Sequence, residues 1–182
     1  MTSDKRRFIH DILATLLELP GSSVIWQHQN RMPKQKRPYA TLRIYSAVHE
    51  VSPELRRTDK PGTLNVFVPT TATVEVQVFD AGDSEAYDRI EQMIRGLERP
   101  TIVDKCVSAR VAFFDAENTV DLTALQENQT WESRAAVDLH IRYNSEVMDT
   151  PGYIDAVKID GATLVPGRPE PLPLPIEIKG GE

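Results

Sequence analysis

Four histidines, one cysteine and a short acidic run are the side chains with which this sequence could hold a metal or run a reaction. His10, His28, His49 and His140 each stand more than four residues from another histidine and from Cys106, so metal-ligand spacing is absent. No G-x-S-x-G, phosphate-binding loop or G-x-G-x-x-G occurs. Lys105 beside Cys106 would lower a thiol pKa. With no histidine near it, the cysteine reads as a small half-buried side chain. Asp80, Asp83 and Glu85 resemble the start of a calcium loop, which needs about twelve residues with ligands at fixed positions. A helix begins at once here, so Asp83 or Ser84 as its N-cap explains these residues without an ion. His140 falls on the polar side of a strand and reads as solvated. The sequence therefore predicts no catalytic residues, no metal and no cofactor: a protein that is not an enzyme.

Basic residues offer a different chemistry. Arg31, Lys34, Lys36 and Arg37 lie in a polar stretch without an acid, and Arg56, Arg57 and Lys60 lie in a second connection. Read as solvated loops they do nothing. Read as a partner-facing patch they would meet an acidic protein surface, or DNA passing nearby. Base reading is not predicted, because neither helix-turn-helix spacing nor a stacking-aromatic signature is present. The formal net charge is -6, divided into +5 over residues 1–60 and -11 over residues 61–182. A whole chain this acidic excludes general nucleic-acid coating. No apolar run approaches the roughly 18–20 residues of a membrane helix, so no membrane partner is predicted. Asp11 and Glu18 interrupt the apolar start, which reads as mature sequence made in a cytoplasm. A single cysteine excludes an intrachain disulfide, leaving packing or oligomerisation to supply stability.

Periodicity supplies the elements that would carry these side chains. Phe8, Ile9, Ile12, Leu13, Leu16 and Leu17 predict an amphipathic helix over 4–19, capped by Ser3 and stopped at Pro20-Gly21. Val24 to His28 reads as a short strand. In 39–48, Ala40, Leu42, Ile44, Ser46 and Val48 alternate with polar positions, predicting a strand with one buried face. Residues 49–62 read as a polar connection. Two strands, 64–68 and 74–79, follow as a hairpin or a bent pair. A helix over 84–97 presents Tyr87, Ile90, Met93, Ile94 and Leu97, and Pro100 ends it. Glu85–Arg89 and Glu91–Arg95 are acid-first i,i+4 pairs. Further strands are predicted at 107–114, 134–143 and 153–159, the last closing in a turn at Asp160-Gly161.

Five of the thirteen prolines fall in the last seventeen residues. From Pro169 alternate residues lack an amide hydrogen, so this stretch reads as an extended, polyproline-like arm. An inter-subunit role is predicted for Pro166, Pro169, Pro171, Leu172, Leu174, Ile176 and Ile178. Apolar side chains at alternate positions can lie in a neighbour's groove or extend its sheet. The expected fold is α+β: a mostly antiparallel sheet with two helices on one face over residues 1–163, and the arm over 164–182.

The segment Val24-Ile25-Trp26-Gln27-His28-Gln29-Asn30-Arg31-Met32-Pro33, followed by Pro38-Tyr39-Ala40-Thr41-Leu42-Arg43-Ile44, resembles the opening of the neck or tail terminator proteins of contractile-tailed phages. Those proteins place a leading helix before a Q-N-x-x-P turn and a Y-x-T-L strand. The run Ala72 to Phe79 into a helix, and Tyr153 to Ile159 as a closing strand, are similar to the same family. The resemblance implies a structural virion protein that assembles as a ring, usually a hexamer, on the last ring of tail tube. Its implied partners are further copies of itself and the tail tube, sheath and head-side connector proteins; no catalytic residues come with it. Alternatives are a head-completion or connector subunit, a tube or sheath accessory, and an intracellular small-molecule or peptide-binding module.

Overall fold

The computed structural model describes residues 1–27, 35–49, 52–80, 85–125 and 131–152, and the backbone alone of 156–163 and 172–179. Of the residues singled out above, His28, Gln29, Asn30, Arg31, Met32, Pro33, Lys34, Asp83, Ser84, Tyr153, Pro166, Pro169 and Pro171 lie outside this set.

Helix α1 runs Ser3–Leu16. Its cap is Thr2, not Ser3: the Thr2 hydroxyl accepts from the Lys5 amide at 3.5 Å. It also ends earlier than periodicity predicts, because Glu18 turns to φ 55°. Strand β1 (Val24–Trp26) lies parallel to β2 (Tyr39–His49), Val24 opposite Ala40. Strand β3 (Glu54–Arg57) pairs with β4 (Leu64–Asp80), so the connection predicted over 49–62 contains a strand. Pro69-Thr70-Thr71 does not turn the chain. The two predicted strands are one, antiparallel to β2 over Tyr39–His49. A bulge between Ile44 and Ser46 interrupts that ladder. Beyond it the inward face predicted for β2 is lost: Ala40 and Leu42 are fully buried, whereas Val48 is 57% exposed.

Helix α2 covers Glu85–Leu97 and buries Ala86, Ile90 and Met93, with Tyr87 at its edge. Pro100 then opens a third helix, α3 (Pro100–Ala109), which replaces the start of the strand predicted at 107–114. Proline suits the first helical position, whose amide would be unbonded in any case. Val107, read as the start of that strand, lies in the last turn of this helix, of which only Ile102 and Cys106, four apart, reach the core. Arg110, at φ 54°, ends α3 by donating its amide to the carbonyls of Cys106 and Val107. Strand β5 (Val111–Ala116) follows, then the short β6 (Val120–Asp121) and β7 (Ala124–Leu125), all antiparallel to β8 (Trp131–Asp149).

The sheet order is β1-β2-β4-β8-β5, with β3 on β4 and β6 and β7 on β8. It is a mixed sheet in an α+β chain, with three helices among the described residues in place of the two expected. Val74, Val76 and Val78 of β4, and Val137, Leu139 and Ile141 of β8, alternate inward. They join Ile9, Leu13, Leu17, Ile90 and Met93 in one core. Fully burying a side chain of this size stabilises by roughly 1.5–3 kcal/mol.

The chain forms two compact units: Met1–Glu54 with Phe67–Glu146, and Leu55–Val66 with Val147–Glu182. The core and all three helices belong to the first. The second holds β9 (Ala156–Thr163) antiparallel to β10 (Leu172–Lys179), Leu172 opposite Thr163. Strand β9 passes straight through the turn predicted at Asp160-Gly161. Residues 172–179 are extended as the prolines require, and they are paired rather than running as a polyproline-like arm. Pro173 and Pro175 are tolerated because a two-stranded ladder leaves one edge of each strand free of donors' obligations.

Candidate interaction surfaces

The described residues include no group of three His, Cys, Asp or Glu side chains that could hold a metal. Asp80 is buried and committed elsewhere: its carboxylate accepts from Arg89 Nε at 2.6 Å, and Arg89 Nη1 reaches the Leu17 carbonyl at 3.3 Å. The helical pairs predicted for α2 are displaced accordingly. Arg89 turns to Asp80, Arg95 Nε donates to the Glu91 carbonyl, and the Glu91 carboxylate accepts from Thr119. Cys106 is 7% exposed, and burial pushes its thiol pKa up, opposite to the effect anticipated from Lys105.

The predicted basic residues divide between the two units. Lys36 is exposed just before β2. Arg37, half-buried and joined to Pro38 by a cis peptide, is ion-paired with Glu132 of β8. Arg37 therefore serves the first unit's own sheet before it serves a partner. Arg56 and Arg57 are exposed on β3, and Lys60 lies in the following turn, where Thr58 and Thr63 bond to its carbonyl.

The sheet positions that alternate with the core carry a cross-linked polar and aromatic face. Tyr39 and Phe79, opposite one another in register, stack with centroids 4.6 Å apart. Arg134 lies over Phe79 at 4.9 Å and donates to Gln77 Oε1 at 2.6 Å. Tyr45 donates to Asp138, a bond that pushes its pKa up to about 12. His140 is not the solvated side chain expected of it. It is half-buried, within hydrogen-bond reach of Thr73 and Glu117 at 3.3 Å each, and stacked on Phe114 at 6.0 Å.

A second feature, unread in the sequence, is apolar. Val120, Leu122 and Leu125 of the β6–β7 segment and Trp131 of β8 are all exposed, Trp131 by 60%. Leu125 and Trp131 are register partners, so two large apolar side chains stand together in water. Alternation did not mark them, because β6 and β7 are two residues each and too short for a period.

His10 joins α1 to β1. Its Nε2 lies 2.9 Å from the Val24 carbonyl and 3.1 Å from that of Gly21, and its Nδ1 lies 2.9 Å from Asp11. Burial lowers its pKa. The Asp11 carboxylate and the two carbonyls more than offset that, and the net shift is upward.

No helix among the described residues is long and apolar enough to cross a membrane. Comparison with curated proteins found no match. A family model described as phage neck terminator protein matches residues 4–168.

Proposed function

From its membership of the phage neck terminator protein family, a family of structural virion proteins of the tail and neck, we propose that this chain forms a ring closing the tail tube. In this reading the ring, a hexamer, stops tube growth and offers its other face to the head-side connector. The observation that carries it is the exposed apolar group Val120, Leu122, Leu125 and Trp131. Water-facing side chains of this size are ordinary singly; grouped on a strand edge they suit burial against a neighbour. Among the described residues β9 pairs only with β10, and an edge strand of this kind is a template for another strand. Leu172, Leu174, Ile176 and Ile178 of β10, with Pro166, Pro169 and Pro171 before them, are the proposed inter-subunit arm.

The positively charged contact to the adjoining ring, or to DNA in the channel, is assigned to Lys36, Arg56, Arg57 and Lys60, with Arg31 and Lys34. Arg37 is a weaker candidate because Glu132 already holds it. Native mass spectrometry of the purified full chain, alone and with isolated tail tubes, tests the reading. A closed oligomer, formed alone or on tube ends, supports it. Trp131→Glu should abolish that oligomer and leave the circular-dichroism spectrum unchanged. A chain that stays monomeric with tubes present, or a Trp131→Glu protein that assembles normally, overturns it.

A further inference from the structure

The register of β9 on β10 sorts their positions by face. Leu172, Leu174, Ile176 and Ile178 share one side of this ribbon with Val157 and Ile159. All four charged residues of the two strands, Lys158, Asp160, Glu177 and Lys179, fall on the other side. The second unit thus holds a two-stranded ribbon with six aliphatic positions on one face and no charge there. Such a ribbon is marginal in water unless that face is packed against something. The first unit offers a matching gap. Ser133, Ala135, Val137 and Leu139 form the buried series of β8. Ser133 stands at the edge of the helical cover: its hydroxyl accepts from the Ala86 amide at 3.2 Å, at the start of α2. Trp131 continues the same series two positions further out and is 60% exposed, and its register partner Leu125 is 56% exposed. The core face of the sheet therefore runs past its helices and ends on an exposed Leu–Trp pair.

We propose that the apolar face of the β9–β10 ribbon of one copy seats on Leu125 and Trp131 of the next, completing the layer beyond the start of α2. This contact rests on the ring reading and supplies its joint. A sheet face is covered by a second layer, helix or sheet, and the ribbon is such a layer with its charges already turned away. Each copy carries both the ribbon and the Leu–Trp pair, and the two are unlike. Unlike surfaces that fit one another join identical copies head to tail, the arrangement that closes into a ring. A tryptophan at the centre of such a contact carries a large share of its energy. The contact is apolar, so added salt leaves it in place, unlike one made by Lys36 or Arg56.

Two variants of the full chain, both with Trp26→Phe, test the joint. The first adds Trp131→Glu, keeps the ribbon and contains no tryptophan. The second adds Leu174→Glu and Ile176→Glu, keeps Trp131 as its only tryptophan and loses the ribbon's apolar face. Each alone should stay monomeric in native mass spectrometry under the conditions in which the parent chain assembles. Mixed under those conditions, they should form a dimer of one copy of each and nothing larger, because one ribbon and one Leu–Trp pair remain. Titrating the tryptophan-free variant into the other should shift Trp131 emission to the blue, saturably and with little dependence on salt. Lys179→Glu, which alters the charged side of the ribbon, should assemble as the parent does, and so separates loss of the apolar face from loss of the ribbon. A mixture that stays monomeric without a blue shift, or a single variant that still closes a ring, overturns this contact and leaves the ring standing. A parent chain that stays monomeric with tail tubes present overturns the ring reading and this contact with it. A blue shift produced by tail tubes and not by the tryptophan-free variant gives the Leu–Trp pair to a tube protein and overturns the second-copy assignment.

Discussion

Asp80 was legible in the sequence as an acid before a helix and illegible as the partner of Arg89, which stands nine positions further on, outside any helical i,i+4 spacing. Its carboxylate is 4% exposed, and Arg89 is held on the other side by the Leu17 carbonyl. Asp80→Asn would leave a guanidinium facing a neutral amide in the interior, at a cost of about 3 kcal/mol in unfolding free energy. Urea denaturation of the two proteins checks this, and an unchanged midpoint would contradict the buried pairing. His10 gives a pH signature. Its native pKa is raised, so the stability it contributes is complete below its unfolded value of about 6.5 and disappears as pH rises through the native value. His10→Gln should therefore lower the urea midpoint clearly at about pH 5.5 and much less at about pH 8.5. Tyr45 should stay protonated, by absorbance at the phenolate band, after ordinary tyrosines have ionised at about pH 10.

Elements were readable where a period had room to repeat. Val137, Leu139, Ile141 and Tyr143 of β8 alternate with Asp138, His140 and Arg142, and the burial follows that alternation. The first and second helices were equally plain. What escaped was local. A proline read as a stop begins α3, because its position relative to the next turn decides between the two roles. A register shift at the β2 bulge ends the inward alternation that the sequence pattern continues to Val48. The surfaces escaped for a related reason. Leu125 and Trp131 come from two strands, and only the register of β7 on β8 brings them side by side. Glycine at 96 has a packing reason that composition hides: a Cβ there would lie 2.6 Å from Leu16 Cδ2, where α2 meets α1. Leu16 is buried and has little room to yield. Gly96→Val should therefore destabilise by about 1–3 kcal/mol in thermal or urea unfolding; a stabilised variant would mean that the two helices separate freely.

At the scale of the whole molecule, the charge division of +5 and -11 does not become two faces by simple inheritance from the sequence. Arg37 of the positive segment is ion-paired with Glu132 of the negative one, which draws the signs together across the division. In the first unit Arg6, Arg7 and Lys36 remain exposed. The second unit keeps Arg56, Arg57 and Lys60 exposed, with β10 bound to its own β9. Deleting residues 164–182 removes that pairing partner and leaves the first unit's core intact. The truncated chain should keep the cooperative unfolding of the core and lose assembly on tail tubes, measured by sedimentation. Unimpaired assembly would remove the arm from the proposed ring.

The solitary thiol of this chain is also a clock. Cys106 sits on the inward side of α3, four residues after Ile102, and it is covered by the same contacts that hold that helix down. A thiol reagent can reach it only while α3 is lifted. The labelling rate of the native protein, set against that of the unfolded chain, would report how often this helix opens. Labelling that slows on a tube end would date the moment at which assembly clamps α3, in a molecule where no other sulfhydryl competes for the reagent.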